Sequence, residues 1–274
     1  MRRDELVALL LVMPAVAYIA SFVLYPAARA VYMSFVLPDG RFSTYYYQFL
    51  AAVGLYHAIV YTVVVTVGAL GIQLLLGLGL ASLMTREFRG KRVVSTALLF
   101  PMGVATVVAA VTFSFIFRVE GGYANSILHL LGLKGVDWYA NDWMSLVTVM
   151  LSDAWKNTPI VFLILLAGMQ SIPQELYHAA ALDGAGPLRR FVYVTLPNLR
   201  DFIAIVLILR GVQEFNIFAL PLILIGYHPP LLTTLVYELY TTNFPNVGPS
   251  LAAATVLLAF ILAFLVVILR VRRG

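Results

Sequence analysis

Two clusters of charged and amide side chains interrupt long apolar stretches of this sequence. The first contains Asp153, Trp155, Lys156 and Asn157, and the second contains Arg210, Gln213, Glu214 and Asn216. Residues spaced i, i+3 and i+4 share one face of a helix, and each cluster has three polar members at that spacing. Carboxylates, amides and cationic groups can hydrogen-bond to solute hydroxyls, and Trp155 can stack on the apolar face of a sugar ring. We predict that both faces line a path for a hydrophilic solute.

A structural interpretation of the same residues is equally open. Asp153 with Lys156, and Arg210 with Glu214, would form ion pairs that neutralise one another inside a helix bundle. Ionisable groups at membrane depth are energetically unfavourable, so both interpretations expect these groups to have partners. Gln73, inside another apolar stretch, is a weaker candidate for the same path.

The composition is that of a membrane protein, with 62% hydrophobic and 11% charged residues and a mean hydropathy of +0.93. A helix needs about 20 apolar residues to cross the hydrocarbon core. We therefore predict an all-α integral membrane protein with one transmembrane domain over residues 1–274 and six spans. These are expected near residues 6–35, 58–84, 93–117, 144–169, 202–225 and 251–269.

Basic residues give the expected orientation of these spans. Most of them lie near the two termini, between spans two and three, and between spans four and five. Because Lys and Arg are retained on the cytoplasmic side, we expect both termini to be cytoplasmic. The same placement explains the net charge of +5, so no nucleic-acid partner is expected. The lipid bilayer is the expected surrounding.

Motifs for catalysis and metal binding are missing from the sequence. It has no cysteine and only four histidines, which are scattered, so we expect no metal site. It has no Gly-x-x-x-x-Gly-Lys-Ser/Thr run, so we expect no catalytic residue, no bound cofactor and no ATP hydrolysis by this chain.

A polar segment at residues 171–197 separates spans four and five, and we call it the elbow. Ser171 and Gln174 have the spacing of a capping box, with Pro173 in the first turn. Glu175 would lie near the positive end of the helix dipole. Gly184 is suited to end the helix by adopting a positive φ. The elbow should therefore begin with a short helix of about three turns.

The elbow resembles the signature of ABC-importer permeases: Glu-Ala-Ala, three residues, Gly, nine residues and Ile-x-Leu-Pro. The matching residues are Ala179, Ala180, Gly184, Val194, Leu196 and Pro197, and His178 stands where that family has Glu. The resemblance implies that this helix docks into a cleft of an ATPase subunit. The residues implied in that coupling are Glu175, His178, Ala179, Ala180, Asp183, Gly184, Leu196 and Pro197.

Other segments resemble the carbohydrate-type permeases of the maltose, trehalose and glycerol-phosphate transporter group. They include Met13-Pro-Ala15, Phe100-Pro101 and Asp153-Ala-Trp155. The resemblance implies the type I importer fold with six transmembrane helices and a cytoplasmic coupling helix in the inner membrane. It also implies a second, similar permease subunit, two ATP-binding subunits that use ATP and Mg²⁺, and an extracytoplasmic solute-binding protein. The cargo would be a disaccharide or oligosaccharide.

Three alternatives stay open from the residues. Lys156 and Arg210 would suit an anionic cargo such as glycerol phosphate, or another polyol. An ion-coupled carrier working alone would use Asp153 or Glu214 as its ion site. A membrane scaffold without transport activity has no evident use for buried charges.

Overall fold

Helices form most of the computed structural model, which describes residues 3–241 and 246–273. In chain order they are α1 (Arg3–Ile19), α2 (Tyr25–Met33), α3 (Tyr45–Ala52), α4 (Leu55–Met84), α5 (Lys91–Gly103), α6 (Thr106–Ile116), α7 (Tyr123–Leu130), α8 (Asp142–Gln170), α9 (Gln174–Leu182), α10 (Pro187–Arg190), α11 (Leu196–Asn198), α12 (Arg200–Phe215), α13 (Ala219–Ile225), α14 (Leu232–Thr241) and α15 (Val247–Arg273). Wider π-helical turns join α1 to α2 at Ala20–Leu24 and α10 to α11 at Phe191–Thr195.

Four of the helical stretches are long and apolar enough to cross a membrane: Leu10–Met33, Leu55–Met84, Asp142–Gln170 and Val247–Arg272. Two bent helix pairs raise the number to six if each pair is one span. They are Lys91–Gly103 with Thr106–Ile116, and Pro187–Asn198 with Arg200–Phe215. The prediction of an all-α membrane protein is confirmed among the described residues.

The third predicted span is not a continuous helix. The structure divides it into α5 and α6, which meet at an angle of 100°. Val104 and Ala105 adopt extended backbone conformations between them. Pro101, near the end of α5, has no N–H to continue the helical hydrogen bonds. The apolar run alone did not indicate this break.

The fifth predicted span, at 202–225, is also interrupted. Helix α12 ends at Phe215, and α13 begins only at Ala219. Asn216 follows the last turn of α12, and its side-chain amide donates a 2.8 Å hydrogen bond to the Val212 carbonyl. That bond satisfies a carbonyl left free at the helix end, which favours a stop there.

The described chain forms two compact units. One comprises the described parts of Met1–Tyr56 and Leu235–Ala259, and the other comprises those of His57–Thr234 and Phe260–Gly274. In the second unit an apolar core packs α4, α8 and α12 through residues such as Met84, Phe162 and Val206. Both polar clusters and the elbow belong to this second unit.

Candidate functional sites

Four polar side chains lie buried where α4, α8 and α12 face one another. Gln73 on α4 is 0% exposed, Asp153 on α8 is 4% exposed, and Arg210 and Glu214 on α12 are 5% and 1% exposed. Burial at this level is tolerated only when the groups satisfy one another. We call these four residues the buried network.

Gln73 joins the other three members of the network. Its Nε2 donates to Asp153 Oδ2 at 2.7 Å and to Glu214 Oε1 at 2.9 Å. Its Oε1 accepts a hydrogen bond from Arg210 Nε at 3.2 Å. The guanidinium of Arg210 also pairs with Glu214 Oε1 and lies 3.4 Å from Asp153 Oδ2. Glu214 Oε2 is the network oxygen that has no partner among the described residues.

One of the two predicted ion pairs is present, and the prediction of the other is wrong. Arg210 and Glu214 pair one helical turn apart on α12. Asp153 pairs with Arg210 instead of Lys156. Lys156 Nζ donates a 2.6 Å hydrogen bond to the Val104 carbonyl, at the break between α5 and α6. The break exposes carbonyls at a helix C-terminus, which attract a cation.

Two amide residues connect the network to more accessible positions. Asn157 is half-buried, and its Nδ2 donates to Asp153 Oδ1 at 2.8 Å. Gln213 is exposed, and its Oε1 accepts a hydrogen bond from Arg210. The buried charges therefore have a polar edge formed by two amides.

Trp155 and Asn216 lie apart from the network. The Trp155 ring is 40% exposed and packs edge-on against Phe113, with a centroid distance of 5.4 Å. Asn216 is exposed and bonds within its own helix. Gln73, predicted to be a weaker candidate for the solute path, is the residue that joins the network. A single amide within an apolar helix must find hydrogen-bond partners, and that feature of the sequence could have indicated its role.

The start of the elbow differs from the predicted capping box. Helix α9 begins at Gln174, directly after Pro173, and no side chain caps it. Ser171 Oγ instead donates to the Gly168 carbonyl at 2.8 Å and so closes the end of α8. The Ser171 hydroxyl lies close enough to the last turn of α8 to bond to a carbonyl there, and this bond competes with capping of α9. Glu175 does lie in the first turn of α9, as predicted.

The end of α9 is built as predicted. Gly184 has a φ of +74°, which a residue with a Cβ adopts only with strain. The Gly184 N–H donates to the Ala181 carbonyl at 3.1 Å, and the Ala185 N–H donates to the Ala180 carbonyl at 2.9 Å. This pair of bonds is a Schellman motif, which satisfies carbonyls at the helix end.

One side of α9 is held and another is open. The Tyr177 hydroxyl and Thr195 Oγ1 share a 3.0 Å hydrogen bond, and Ala180 is half-buried. The open side carries Glu175, Leu176, His178, Ala179, Leu182 and Asp183, all exposed. Leu182 is 90% exposed. Leu196 and Pro197 are exposed in α11.

No group of three or more His, Asp or Glu side chains that could hold a metal ion occurs among the residues the structure describes. What the two sites offer is a polar edge between helices and a short, capped helix with an open face.

The chain matches the model of a known protein family over most of its length. Residues 73–273 match the family described as binding-protein-dependent transport system inner membrane component. That range contains the buried network and the elbow.

Curated relatives match nearly the whole chain. The chain is 30% identical to the trehalose/maltose transport system permease protein MalF of Thermococcus litoralis, over 99% of this chain and 95% of that protein. It is 32% identical to the sulfoquinovosyl glycerol transport system permease protein SmoG of Agrobacterium fabrum, over 98% and 91% of the two. It is 33% identical to the sn-glycerol-3-phosphate transport system permease protein UgpA of Yersinia enterocolitica, over 89% and 86%.

Solved structures share the fold. A bacterial ABC transporter involved in import of the acidic polysaccharide alginate matches with a TM-score of 0.81 at 21% identity, over 99% of this chain and 96% of that one. An amino acid ABC transporter matches with a TM-score of 0.56 at 15% identity, over 85% and 99%. The permease fold implied by the resemblance is thereby confirmed.

Proposed function

Because the chain belongs to the family of binding-protein-dependent transport system inner membrane components, and is thus the membrane-spanning part of an ABC transport system, we propose that it imports a sugar. A disaccharide or oligosaccharide is the cargo that fits best. Two relatives whose names specify trehalose/maltose and sulfoquinovosyl glycerol support a carbohydrate.

The proposed assembly has four kinds of subunit. This chain acts as a single transmembrane domain and forms half of the path beside a second, similar permease. Two ATP-binding subunits bind Mg²⁺ and hydrolyse ATP, and an extracytoplasmic solute-binding protein delivers the cargo. One structural neighbour is a transporter in complex with a periplasmic protein bound to an alginate pentasaccharide. Both termini and the elbow face the cytoplasm, as the distribution of Arg and Lys supports.

The observation that carries the coupling role is the construction of α9. It is closed at one end by Gly184, is tied to Thr195 through Tyr177, and is open on the face of His178 and Ala179. A short helix held in this way moves as a rigid body. Closure of the ATPase subunits would therefore shift the elbow and reorient the membrane helices.

In this proposal the buried network holds the amide side chains that line the cargo path. Gln213 and Asn157 present amides at its edge, and Asn216 and Trp155 are further exposed candidates. Amides donate and accept hydrogen bonds, as sugar hydroxyls do. We assign Gln213 and Asn157 to cargo contact, and Asp153, Arg210 and Glu214 to holding them in place.

A phosphorylated polyol is the second candidate cargo, and a relative named for sn-glycerol-3-phosphate transport favours it. The contacts of the cationic side chains favour a neutral sugar. Arg210 is committed to Asp153 and Glu214, and Lys156 to the Val104 carbonyl. The family of the chain argues against an ion-coupled carrier that works alone. Uptake by the purified chain without any ATPase would contradict the proposed function.

Cysteine crosslinking tests the proposed coupling. Because the chain has no cysteine, Ala179→Cys introduces a single thiol on the open face of α9. A second cysteine is placed in the cleft of the candidate ATPase. We expect a crosslink in membranes whose yield changes with ATP.

The matched control is Ala51→Cys on α3, which is exposed and predicted to face the opposite side of the membrane. It should give no crosslink. If Ala179→Cys also gives none in a complex shown to be intact, the elbow does not dock on that ATPase.

A further inference from the structure

A cavity of about 510 Å³ lies behind the elbow helix. It is a cleft open to solvent on one side, lined by the end of α4 with the two residues after it, the end of α8, helix α9 and the segment that follows α9. Its polar lining includes Ser82, Thr85, Arg86, Gln174, Tyr177 and Arg190. The cavity is thus built from parts of the chain far apart in sequence and is distinct from the buried network.

The lining is cationic. It contains two guanidinium groups and no carboxylate. The carboxylate next to Arg86 in sequence, Glu87, is paired with Lys91 at 2.7 Å. Arg86 forms no ion pair within the described residues. Arg190 donates its Nε to the Ala185 carbonyl at 2.7 Å, and no described acceptor takes its Nη groups.

Topology alone does not account for this arrangement. Basic residues flanking a span need only stay on the cytoplasmic side. Arg89 and Arg189, which are exposed as Arg86 also is, do so without lining the cavity. Arg86 and Arg190 instead converge on one space, together with hydroxyl and amide donors. Guanidinium and hydroxyl groups arranged in this way match the oxygens of a phosphate.

The cavity is separate from the face proposed to meet the ATPase. Gln174 and Tyr177, at i and i+3, line the cavity. The open face of α9 carries Glu175, His178, Ala179 and Leu182, and lies on a different side of the helix. A small ligand can therefore occupy the cavity while the open face is engaged.

We propose that this cavity binds a phosphate-bearing anion, held by Arg86 from α4 and Arg190 from the elbow. The bound anion would brace α9 against the end of α4 and so regulate the mobility of the elbow. The ligand chemistry is that of a phosphate monoester, supplied either by a soluble compound or by a lipid headgroup. Binding stands independently of the proposed transport function, and only the regulatory effect rests on it.

Thiol labelling in the full chain tests binding directly. Ser82→Cys places one thiol in the cavity wall of a chain that otherwise has none. Labelling rates are measured in phosphatidylcholine nanodiscs with an anionic and a cationic methanethiosulfonate reagent. We expect the anionic reagent to react faster and inorganic phosphate to slow labelling in a saturable manner.

Variants of the arginines assign the effect to the cavity. Arg86→Gln should weaken protection by phosphate about tenfold, as expected for loss of a charge-assisted contact. Arg190→Gln should do the same. Arg89→Gln and Arg189→Gln are matched controls, since both residues are exposed outside the cavity, and should leave protection unchanged. Arg86→Gln is the decisive variant because Arg190 also holds the Ala185 carbonyl.

Nanodiscs containing phosphatidic acid distinguish the two sources of phosphate. Protection by free phosphate in phosphatidylcholine discs supports a soluble ligand. Protection only in phosphatidic acid discs, lost in Arg86→Gln, supports a lipid headgroup. No protection in either disc, or equal protection in Arg86→Gln and the parent, overturns the proposal. Because no ATPase is present, this outcome is distinguishable from a failed elbow crosslink.

Discussion

The amide nitrogen of Gln73 lies 2.7 Å from Asp153 Oδ2, so a side chain of α4 donates a hydrogen bond to a carboxylate of α8. The same nitrogen donates to Glu214 Oε1 on α12. One uncharged side chain thus bridges two carboxylates that share a single guanidinium, that of Arg210. The side-chain hydrogen bonds that α4 makes to α8 and α12 in the buried network all run through a residue that carries no charge.

Replacing Gln73 with leucine should destabilise the protein. The apolar side chain removes the donors to Asp153 and Glu214 and leaves both carboxylates under-satisfied in a buried site. A buried polar group that loses its partner costs about 1–3 kcal/mol. Thermal unfolding of the purified chain in detergent should show a lower midpoint for Gln73→Leu.

Thr66→Val is the matched control on the same helix. Thr66 is 0% exposed, and its Oγ1 has no partner among the described residues. Its removal should leave stability unchanged or raise it slightly. Equal unfolding midpoints for Gln73→Leu and Thr66→Val would show that the network contributes no stability.

Lys156→Met should slow transport more than it weakens cargo binding. Lys156 donates a hydrogen bond to the Val104 carbonyl at the break in span three. Its loss should therefore allow the angle between α5 and α6 to change. Lys156→Arg keeps a charged donor and should retain most of the activity. The measurement is uptake rate against cargo affinity in reconstituted vesicles. A large loss of affinity with an unchanged maximal rate would place Lys156 in the cargo site instead.

Gly184→Ala should impair coupling through backbone strain. Gly184 has a φ of +74°, and a Cβ there would meet nothing within 4 Å. The left-handed conformation costs a residue with a Cβ about 1–2 kcal/mol. We expect reduced uptake with normal membrane insertion for Gly184→Ala. Gly184→Asp should abolish uptake because its longer, charged side chain would also disturb close docking of the elbow on the ATPase.

Gly186→Ala provides the comparison for Gly184. Its φ of −68° suits any residue, and its Cβ would also meet open space. Uptake should therefore be normal. If the Gly184 and Gly186 variants behaved alike, the helix stop would not matter for coupling.

Gly168→Ala should loosen the end of α8 next to the elbow. A Cβ there would lie 2.6 Å from Phe202 Cγ and 2.7 Å from Leu199 Cδ2. Overpacking of this kind typically costs about 1–3 kcal/mol. The unfolding midpoint in detergent should fall.

Gly79→Ala on α4 tests the same change in open space. No atom lies within 4 Å of its Cβ position, and alanine favours a helix interior by about 0.5–1 kcal/mol over glycine. Its midpoint should stay the same or rise. A stable Gly168→Ala variant would mean that α8 and α12 can separate without loss.

Much of the molecule was predictable because the signals are local. Apolar runs near 58–84 and 144–169 indicated spans, and α4 and α8 occupy them. Glu175 lies in the first turn of α9 and Gly184 just after its last turn, as predicted, since a helix end depends on a few neighbouring residues. The capping role of Ser171 failed because the preceding helix offered a competing carbonyl at Gly168.

The sequence by itself determined the membrane class, the unbroken spans such as α4 and α8, and the short helix of the elbow, because hydropathy and turn residues act within a few positions along the chain. Tertiary structure decided the partners of the polar side chains. Asp153 bonds to Gln73 and Arg210 rather than Lys156, and Arg86 meets Arg190 in one cavity. A buried charged group pairs with the partner that helix packing brings nearest, and the spacing of residues along one helix does not show which partner that is.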